Sequence, residues 1–253
     1  MKQKRTTATL SALILGALAL TSNAQTAANP ASIKVLYVYT PDAADEFGGP
    51  ANIVPLLRQI KDVGRKAMYY STNRRVKLHN AGYFQSTYNG SASHATQAFR
   101  LASEYYMPEV IDKRDSSGAD LVQLFAPSTE GMGGISSAGY WGTYVHHRIL
   151  ARQDVDFWKH VSIHELGHNF GGSHAEGHTL MPYGHTIMQA GVLGARVPRF
   201  SHSWKTYRDR SLGDDRLRLG NWANNNTATI LENALTVAGN AENNYYGYTL
   251  FNR

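Results

Sequence analysis

The sequence contains no cysteine. This absence excludes disulfide bonds, thiolate metal ligands, a cysteine nucleophile and a lipid-modified N-terminal cysteine. Charged residues make up only 17% of the chain, and the formal net charge of +6 falls to +3 without the three basic residues at the N-terminus. So mild a charge gives no argument for a nucleic-acid partner. Any metal site in this chain must use nitrogen and oxygen ligands.

Long apolar runs are absent too, except for one near the N-terminus. Three basic residues within the first five precede an uncharged stretch from Ala8 to Leu20, and small residues follow at Ser22 and Ala24. This order is typical of a secretory signal peptide, and the run is short for a membrane span. A retained N-terminal anchor is the alternative. We expect residues 1–24 to be removed and the exported chain, residues 25–253, to have no membrane segment.

Apolar periodicity predicts an α/β lobe followed by a mostly irregular lobe. Strands are predicted over residues 32–39, 76–84, 119–125 and 147–151, and the glycine-rich segment 130–141 is expected to form an irregular edge strand. Helices are predicted over residues 52–70, 93–112 and 225–238, and another ends at Phe170, before Gly171 and Gly172. We expect one domain with an upper lobe, residues 25–172, and a lower lobe, residues 173–253.

Three of the eleven histidines lie in one short segment, HELGHNFGGSH, residues 164–174. His164 and His168 are four residues apart on the predicted helix, so their imidazoles project from one face and can bind the same ion. Catalytic zinc takes three protein ligands and keeps one position open. His174 can be the third ligand if the chain turns at Gly171, where a residue without Cβ adopts positive φ at little steric cost. The segment therefore predicts one catalytic zinc ion.

Glu165 lies one step round the helix from the two helical ligands. A carboxylate in this position is a candidate general base and acid for hydrolysis of a peptide bond. Two alternatives remain open at this point. The first is a non-catalytic zinc-binding module, such as an adhesin or a toxin subunit. Loss of Glu165 would favour this alternative, but Glu165 is present. A structural zinc site would need a fourth protein ligand, for which His178 or His185 is available.

The pattern H-E-x-x-H-x-x-G-x-x-H resembles that of the metzincin zinc proteases. The segments TIM at 186–188 and RVPRFS at 196–201 resemble the adamalysin-like branch, and in particular secreted bacterial peptidyl-Asp metalloendopeptidases. Further similarity lies in VLYVYTP at 35–41, GADLV at 118–122 and NNNTATI at 224–230. The resemblance implies a methionine turn beneath the zinc, for which Met188 is favoured over Met181.

The resemblance also implies a fold and a substrate class. The fold is the α/β (α+β) metzincin fold, with a mixed twisted sheet and the zinc-binding helix in the upper lobe and a closing helix in the lower lobe. The substrate is a protein or peptide chain that lies extended along the edge strand, at Gly134, Ile135, Ala138 and Gly139. We expect a secreted monomeric endopeptidase that has no nucleic-acid partner.

Substrate preference is expected to depend on the segment after the methionine turn. In metzincins this segment forms a wall of the pocket for the residue that follows the scissile bond. Here it contains Arg196 and Arg199, and no acidic residue occurs between Met188 and Phe200. An arginine that faces the pocket would bind an acidic side chain through paired hydrogen bonds. The alternative is that both arginines face solvent.

The sequence departs from the family pattern in three places. The family's glycine-cysteine signature in the edge strand has no cysteine here, which excludes latency through a propeptide thiolate. The stretch between Gln25 and the first strand is too short for the usual inhibitory propeptide, so we expect none. Ala190 occupies the position where some branches have a tyrosine, which serves there as an extra metal ligand or as a hydrogen-bond donor to the transition state.

Overall fold

The computed structural model describes most of the chain between Asn29 and Ala241. The described ranges are 29–90, 105–127, 133–136, 142–147, 155–180, 184–189, 197–207 and 217–241, with the single positions 93, 96 and 101. The predicted signal peptide lies outside these ranges, as do Ala138, Gly139, Met181 and Arg196. Within the described part, no helix has both the length and the apolar character needed to cross a membrane.

Helices and strands alternate through the first two thirds of the described chain. The strands are β1 (Ala31–Tyr39), β2 (Val76–Gln85), β3 (Leu121–Pro127), β4 (Gly133–Ile135), β5 (Gly142–His147), β6 (Thr179–Leu180), β7 (Gly184–His185), β8 (Thr206–Tyr207) and β9 (Leu217–Arg218). The helices are α1 (Pro41–Glu46), α2 (Pro50–Ser71), α3 (Pro108–Ser117), α4 (Val155–Asn169) and α5 (Asn226–Ala238). One turn of 3-10 helix, His174–Glu176, follows α4.

Five strands form one sheet in the order β2-β1-β3-β5-β4. The first four are parallel, and β4 alone runs antiparallel, with Gly134 opposite Val145 and Ile135 opposite Tyr144. The predicted mixed α/β architecture is therefore confirmed. The glycine-rich segment contributes the terminal strand β4, as its composition predicts.

Helices cover both faces of the sheet, so the side chains of β1 from Val35 to Tyr39 are buried on both faces, as expected for a parallel strand. Ile33, Val35 and Tyr37 belong to a core cluster that also contains residues of α2, α4 and α5. Leu36 and Val38 belong to a second cluster with residues of α3. The closing helix thus packs on the same core as the first strand.

One predicted element differs from the structure. The chain turns at residues 105–106, and α3 begins only at Pro108, whereas a single helix was predicted over residues 93–112. Proline disfavours helical backbone at the residue before it, and Met107 has φ −137° and ψ 55°. Of the strand predicted at residues 147–151, only His147 lies within the described residues, as the last residue of β5. Pairing of Gly142–His147 with Val122–Pro127 sets the bounds of β5.

Candidate metal centre and active site

The three predicted ligands converge in the structure. The Nε2 atom of His174 lies 2.8 Å from Nε2 of His164 and 3.0 Å from Nε2 of His168. Among the described histidines, cysteines and acidic residues, these three form the one group whose ligand atoms all lie within 4.8 Å of one another. Four-residue spacing on α4 brings the first two rings together, and a chain reversal brings the third.

The reversal after α4 is a Schellman motif. The N–H of Gly172 donates to the carbonyl of Gly167 at 2.9 Å, and the N–H of Gly171 donates to that of His168 at 2.8 Å. Gly171 has φ +82°, the left-handed conformation that this motif requires. The two glycines therefore end the helix as predicted, and they return the chain toward the face that carries His164 and His168.

Hydrogen bonds set the tautomers of the two helical ligands. Nδ1 of His164 lies 2.8 Å from the carbonyl oxygen of Ile187, and Nδ1 of His168 lies 2.7 Å from that of Gly172. A carbonyl oxygen only accepts, so each Nδ1 carries the proton and each Nε2 of the neutral ring presents a lone pair. The neutral ring of His174 carries a single proton, so it can donate a hydrogen bond to only one of these two Nε2 atoms. Converging nitrogen lone pairs of this kind match a single cation, so the donor set fits a metal ion.

Burial favours the neutral form of His168. Removal from water lowers the pKa of His168, and the neighbouring His174 lowers it further, against the opposing effect of the hydrogen bond with Gly172. A neutral imidazole is the form that binds a metal. The surroundings of His168 therefore favour metal binding over protonation.

The group offers no fourth protein ligand within the described residues. His178 and His185, the candidates for closing a structural site, are not members of it. The main-chain N–H of His178 donates to Thr186 Oγ1, and the ring Nδ1 of His185 lies 3.3 Å from Thr179 Oγ1. A three-ligand group with an open position is typical of catalytic and not of structural zinc sites.

Glu165 is buried beside the histidines, with 6% of its surface exposed. Burial raises its pKa to about 8, and the hydrogen bond from Ser136 acts in the opposite direction. Ser136 Oγ donates to the main-chain oxygen of Glu165 and lies 3.3 Å from its Oε2 atom. A bound dication would favour the charged carboxylate and lower this pKa again. The carboxyl group of Glu165, a residue of α4, is thus held against the segment that follows β4.

Gly134 makes the close approach of β4 to Glu165 possible. A Cβ atom at position 134 would lie 2.3 Å from Cγ and 2.7 Å from Cδ of Glu165. Real contacts of this kind are not observed, so a side chain here would displace the carboxylate or the strand. The sequence indicated an edge strand at Gly134 but not this contact with the catalytic candidate.

Met188 lies fully buried in the turn below α4. A Cβ atom at Gly167 would lie 2.5 Å from Met188 Sδ and 2.7 Å from Phe200 Cε1. The preceding residue, Ile187, provides the carbonyl that accepts from His164. The segment therefore supports the helix from below and orients one ligand through its main chain. Glycine in the middle of a helix lowers stability, so its presence there usually has a packing reason. A glycine at position 167 of the predicted helix is therefore the feature of the sequence that indicates close packing at this point.

We expect Gly167→Ala to destabilise the metal-free protein by up to about 2 kcal/mol, because overpacking costs about 1–3 kcal/mol and the gain in helix propensity offsets about 1 kcal/mol of it. The matched control is Gly64→Ala in the middle of α2, where the new Cβ would meet Ile163 at an ordinary 3.6 Å. That control should gain about 1 kcal/mol from helix propensity. Denaturant unfolding of both variants measures the difference. Equal stability of the two would contradict the close packing of Met188 and Phe200 under α4.

A reciprocal pair of side-chain bonds fixes α4 on the sheet. Gln123 in β3 donates from Nε2 to the carbonyl of Ser162 at 2.8 Å, and Ser162 Oγ donates to Gln123 Oε1 at 2.9 Å. Both residues are buried. A polar residue inside an apolar strand was the available signal, but its partner lies 39 positions away and cannot be identified from the strand pattern.

The Arg199 guanidinium is occupied by contacts with one residue of α2 and with residues of the lower lobe. Its guanidinium carbon lies 4.8 Å from the ring centre of Tyr70 and 5.3 Å from that of Tyr207. Its Nη1 atom donates to the carbonyl of Pro198 at 2.6 Å. Burial is the main cause of the lowered pKa of Arg199. Its main-chain carbonyl accepts from Ile187, which places the backbone, but not the guanidinium, beside the methionine turn.

Residues 65–175 match the family model described as metallo-peptidase family M12B, reprolysin-like. The matched range includes Glu165 and all three histidines of the metal group. Together, the match and the group support a zinc metallopeptidase of the metzincin type. No curated protein matches the chain.

One similar solved structure is titled "Structure of a chaperone-substrate complex". It is 17% identical in sequence, with a TM-score of 0.63 over 83% of this chain and 36% of the other. At this identity the similarity concerns the fold alone. The present chain spans little more than a third of that protein's length.

Proposed function

We propose that this protein is a secreted, zinc-dependent endopeptidase that hydrolyses peptide bonds in extended protein substrates. The observation that supports it most strongly is a buried carboxylate, Glu165, beside three converging imidazoles that leave one coordination position open. Imidazole nitrogens in a three-ligand group suit zinc. We include export through the signal peptide at residues 1–24 and action as a monomer in the proposal.

Zinc, when bound, polarises the scissile carbonyl and makes water acidic enough to react near neutral pH. Glu165 takes the proton of the attacking water and returns it to the leaving amine. Ser136 limits the orientation of the carboxylate, because its single hydroxyl proton is shared between the main-chain oxygen of Glu165 and Oε2, which lies 3.3 Å from Oγ. No residue of the protein forms a covalent bond with the substrate.

Strand β4 is the proposed binding strand for the substrate. It is the terminal strand of the sheet, and on its outer side it pairs with no strand of the described part of the chain. An extended peptide can add to such an edge through main-chain hydrogen bonds. Gly134 would bring this peptide close to Glu165, since no side chain separates the strand from the carboxylate.

The test is cleavage of casein and of a peptide library by the purified mature protein, with and without a chelator. We expect cleavage that is lost with the chelator and restored by zinc, and that is lost in the Glu165→Gln variant prepared in the same way. Tight zinc binding without cleavage of any library peptide would instead favour the non-catalytic module. Sequencing of the exported protein should give Gln25 as its first residue.

We also propose a preference for an acidic residue just after the scissile bond, carried by Arg196. The guanidinium of Arg199 already lies against Tyr70 and Tyr207. We therefore expect Arg196→Ala to reduce the ratio of kcat/KM for peptides with Asp and with Asn at that position, and Arg199→Ala to leave this ratio unchanged. A wild-type preference for Leu, or an Asp preference that survives in Arg196→Ala, would contradict the proposal.

A further inference from the structure

The segment that carries the third ligand is anchored by Ser201 and by residues at and just before the start of α5. We call residues 173–177 the ligand loop. Asn224 donates to the carbonyl of Gly177 at 2.9 Å, and Ser201 Oγ donates to that of Glu176 at 2.6 Å. Thr229 Oγ1 donates to a carboxylate oxygen of Glu176 at 3.2 Å. The position of the loop thus depends on residues that follow it by 25 to 53 positions.

Asn226 makes the most complete of these contacts. Its Oδ1 atom accepts from the N–H of Ser173 at 2.7 Å, and its Nδ2 atom donates to the carbonyl of Ser173 at 3.1 Å and lies 3.2 Å from Ser201 Oγ. The side chain is fully buried. One amide group therefore satisfies both main-chain groups of the residue that directly precedes His174.

Few other contacts fix the side chain of His174. It is exposed, and within the described residues its ring nitrogens bond only to His164 and His168. The other two ligands have carbonyl partners on Nδ1, at Ile187 and Gly172. For His174, the placement of Nε2 therefore rests on its main chain, and this in turn rests on Ser173.

Few other side chains can replace Asn226 in this position. Aspartate has the same shape and keeps the acceptor, but it presents an oxygen to the carbonyl of Ser173, where Asn226 presents a donor. A buried carbonyl without its donor, opposite a buried charge, is costly. Glutamine is longer by one methylene, so its amide group cannot lie in the same place with Cα unmoved, opposite both main-chain groups of Ser173.

We infer that Asn226 is a positioning residue for the third metal ligand: it raises the affinity of the site for zinc by fixing Ser173 and thus His174, without touching the metal. This inference rests on the proposed function, in that the three histidines bind zinc. Partners behind metal ligands typically contribute 10–100-fold to metal affinity, and those partners usually bond the ligand's ring. Here the partner bonds the main chain beside the ligand.

The experiment measures zinc affinity by chelator competition in wild type and in Asn226→Asp, with Asn226→Ala as a second variant. We expect the dissociation constant to rise by about 10–100-fold in both. Asn233→Ala is the matched control, because Asn233 also lies on α5 and donates to the carbonyl of Phe170 at 3.0 Å, outside the ligand loop. It should reduce thermal stability and leave zinc affinity unchanged.

A double-variant cycle separates positioning from general destabilisation. If Asn226 acts through His174, then Asn226→Asp should cost no further zinc affinity in a His174→Ala background. The visible spectrum of the cobalt-substituted protein should also change in Asn226→Asp and not in Asn233→Ala. Unchanged zinc affinity in both Asn226 variants, or an equal loss in the His174→Ala background, overturns the inference alone. Wild-type protein that binds no zinc overturns the proposed function first.

Discussion

Glu165→Gln is expected to retain zinc and to lose peptidase activity by about 10²–10⁴-fold, the range that general acid–base catalysis contributes. The amide has the shape of the carboxylate and fits the same space between α4 and Gly134. It cannot take a proton from water near neutral pH, so kcat should fall much more than KM changes. Measuring kcat and KM with a cleaved library peptide, alongside zinc content, gives the result.

Glu232→Gln is the charge-matched control for this prediction. Glu232 is exposed on α5, so its replacement removes the same charge without altering the site. We expect wild-type turnover in this variant. Near-normal turnover in Glu165→Gln would show that another group accepts the proton, and loss of zinc in that variant would show that Glu165 is itself a ligand.

His174→Ala is expected to produce the second large effect, a loss of zinc affinity of at least about 100-fold. The ligand is removed outright, so the loss should exceed that from a residue behind a ligand. His164 and His168 remain in place on α4, which keeps their carbonyl partners. A two-histidine site of this kind binds zinc weakly and holds it with poor geometry. Chelator competition measures the change.

His178→Ala tests the competing ligand set. His178 is the next histidine in the chain, and it lies outside the group of converging ligand atoms. We expect this variant to bind zinc as the wild type does. The reverse pattern, in which His178→Ala loses zinc and His174→Ala keeps it, would show that the ligand loop takes another conformation around the metal.

Local sequence patterns predicted those elements that carry a long apolar run or a clear helical periodicity. Strand β1 and helices α2 and α5 were placed to within two residues at each end. The first two ligands follow from helical geometry alone, and Gly171 predicted the turn that brings in His174. Pro108 also carried a local signal, because a proline disfavours helical backbone at the residue before it, but the apolar periodicity on both sides of it concealed the break.

The contacts across long separations in sequence could not be predicted. Asn226 and Ser173 are 53 positions apart, and Gln123 and Ser162 are 39 apart. Each pair depends on how two elements meet in space, which composition and periodicity do not contain. Helix α4 shows a related difficulty. It packs on several sides at once, with Ile163 and Leu166 in the core and Gly167 against Met188. It therefore lacks the single apolar face that indicates a surface helix.

The place of α5 in the core determines when the site can form during synthesis. Ile230, Ala234 and Val237 lie in the same apolar cluster as Ile33, about 200 residues earlier in the chain. A nascent chain that ends at Tyr207 already contains every ligand, but it exposes part of the core around β1 and lacks the amide that holds Ser173. Contacts of such long range form late in folding. The order of the elements therefore delays completion of the metal site until α5 has docked.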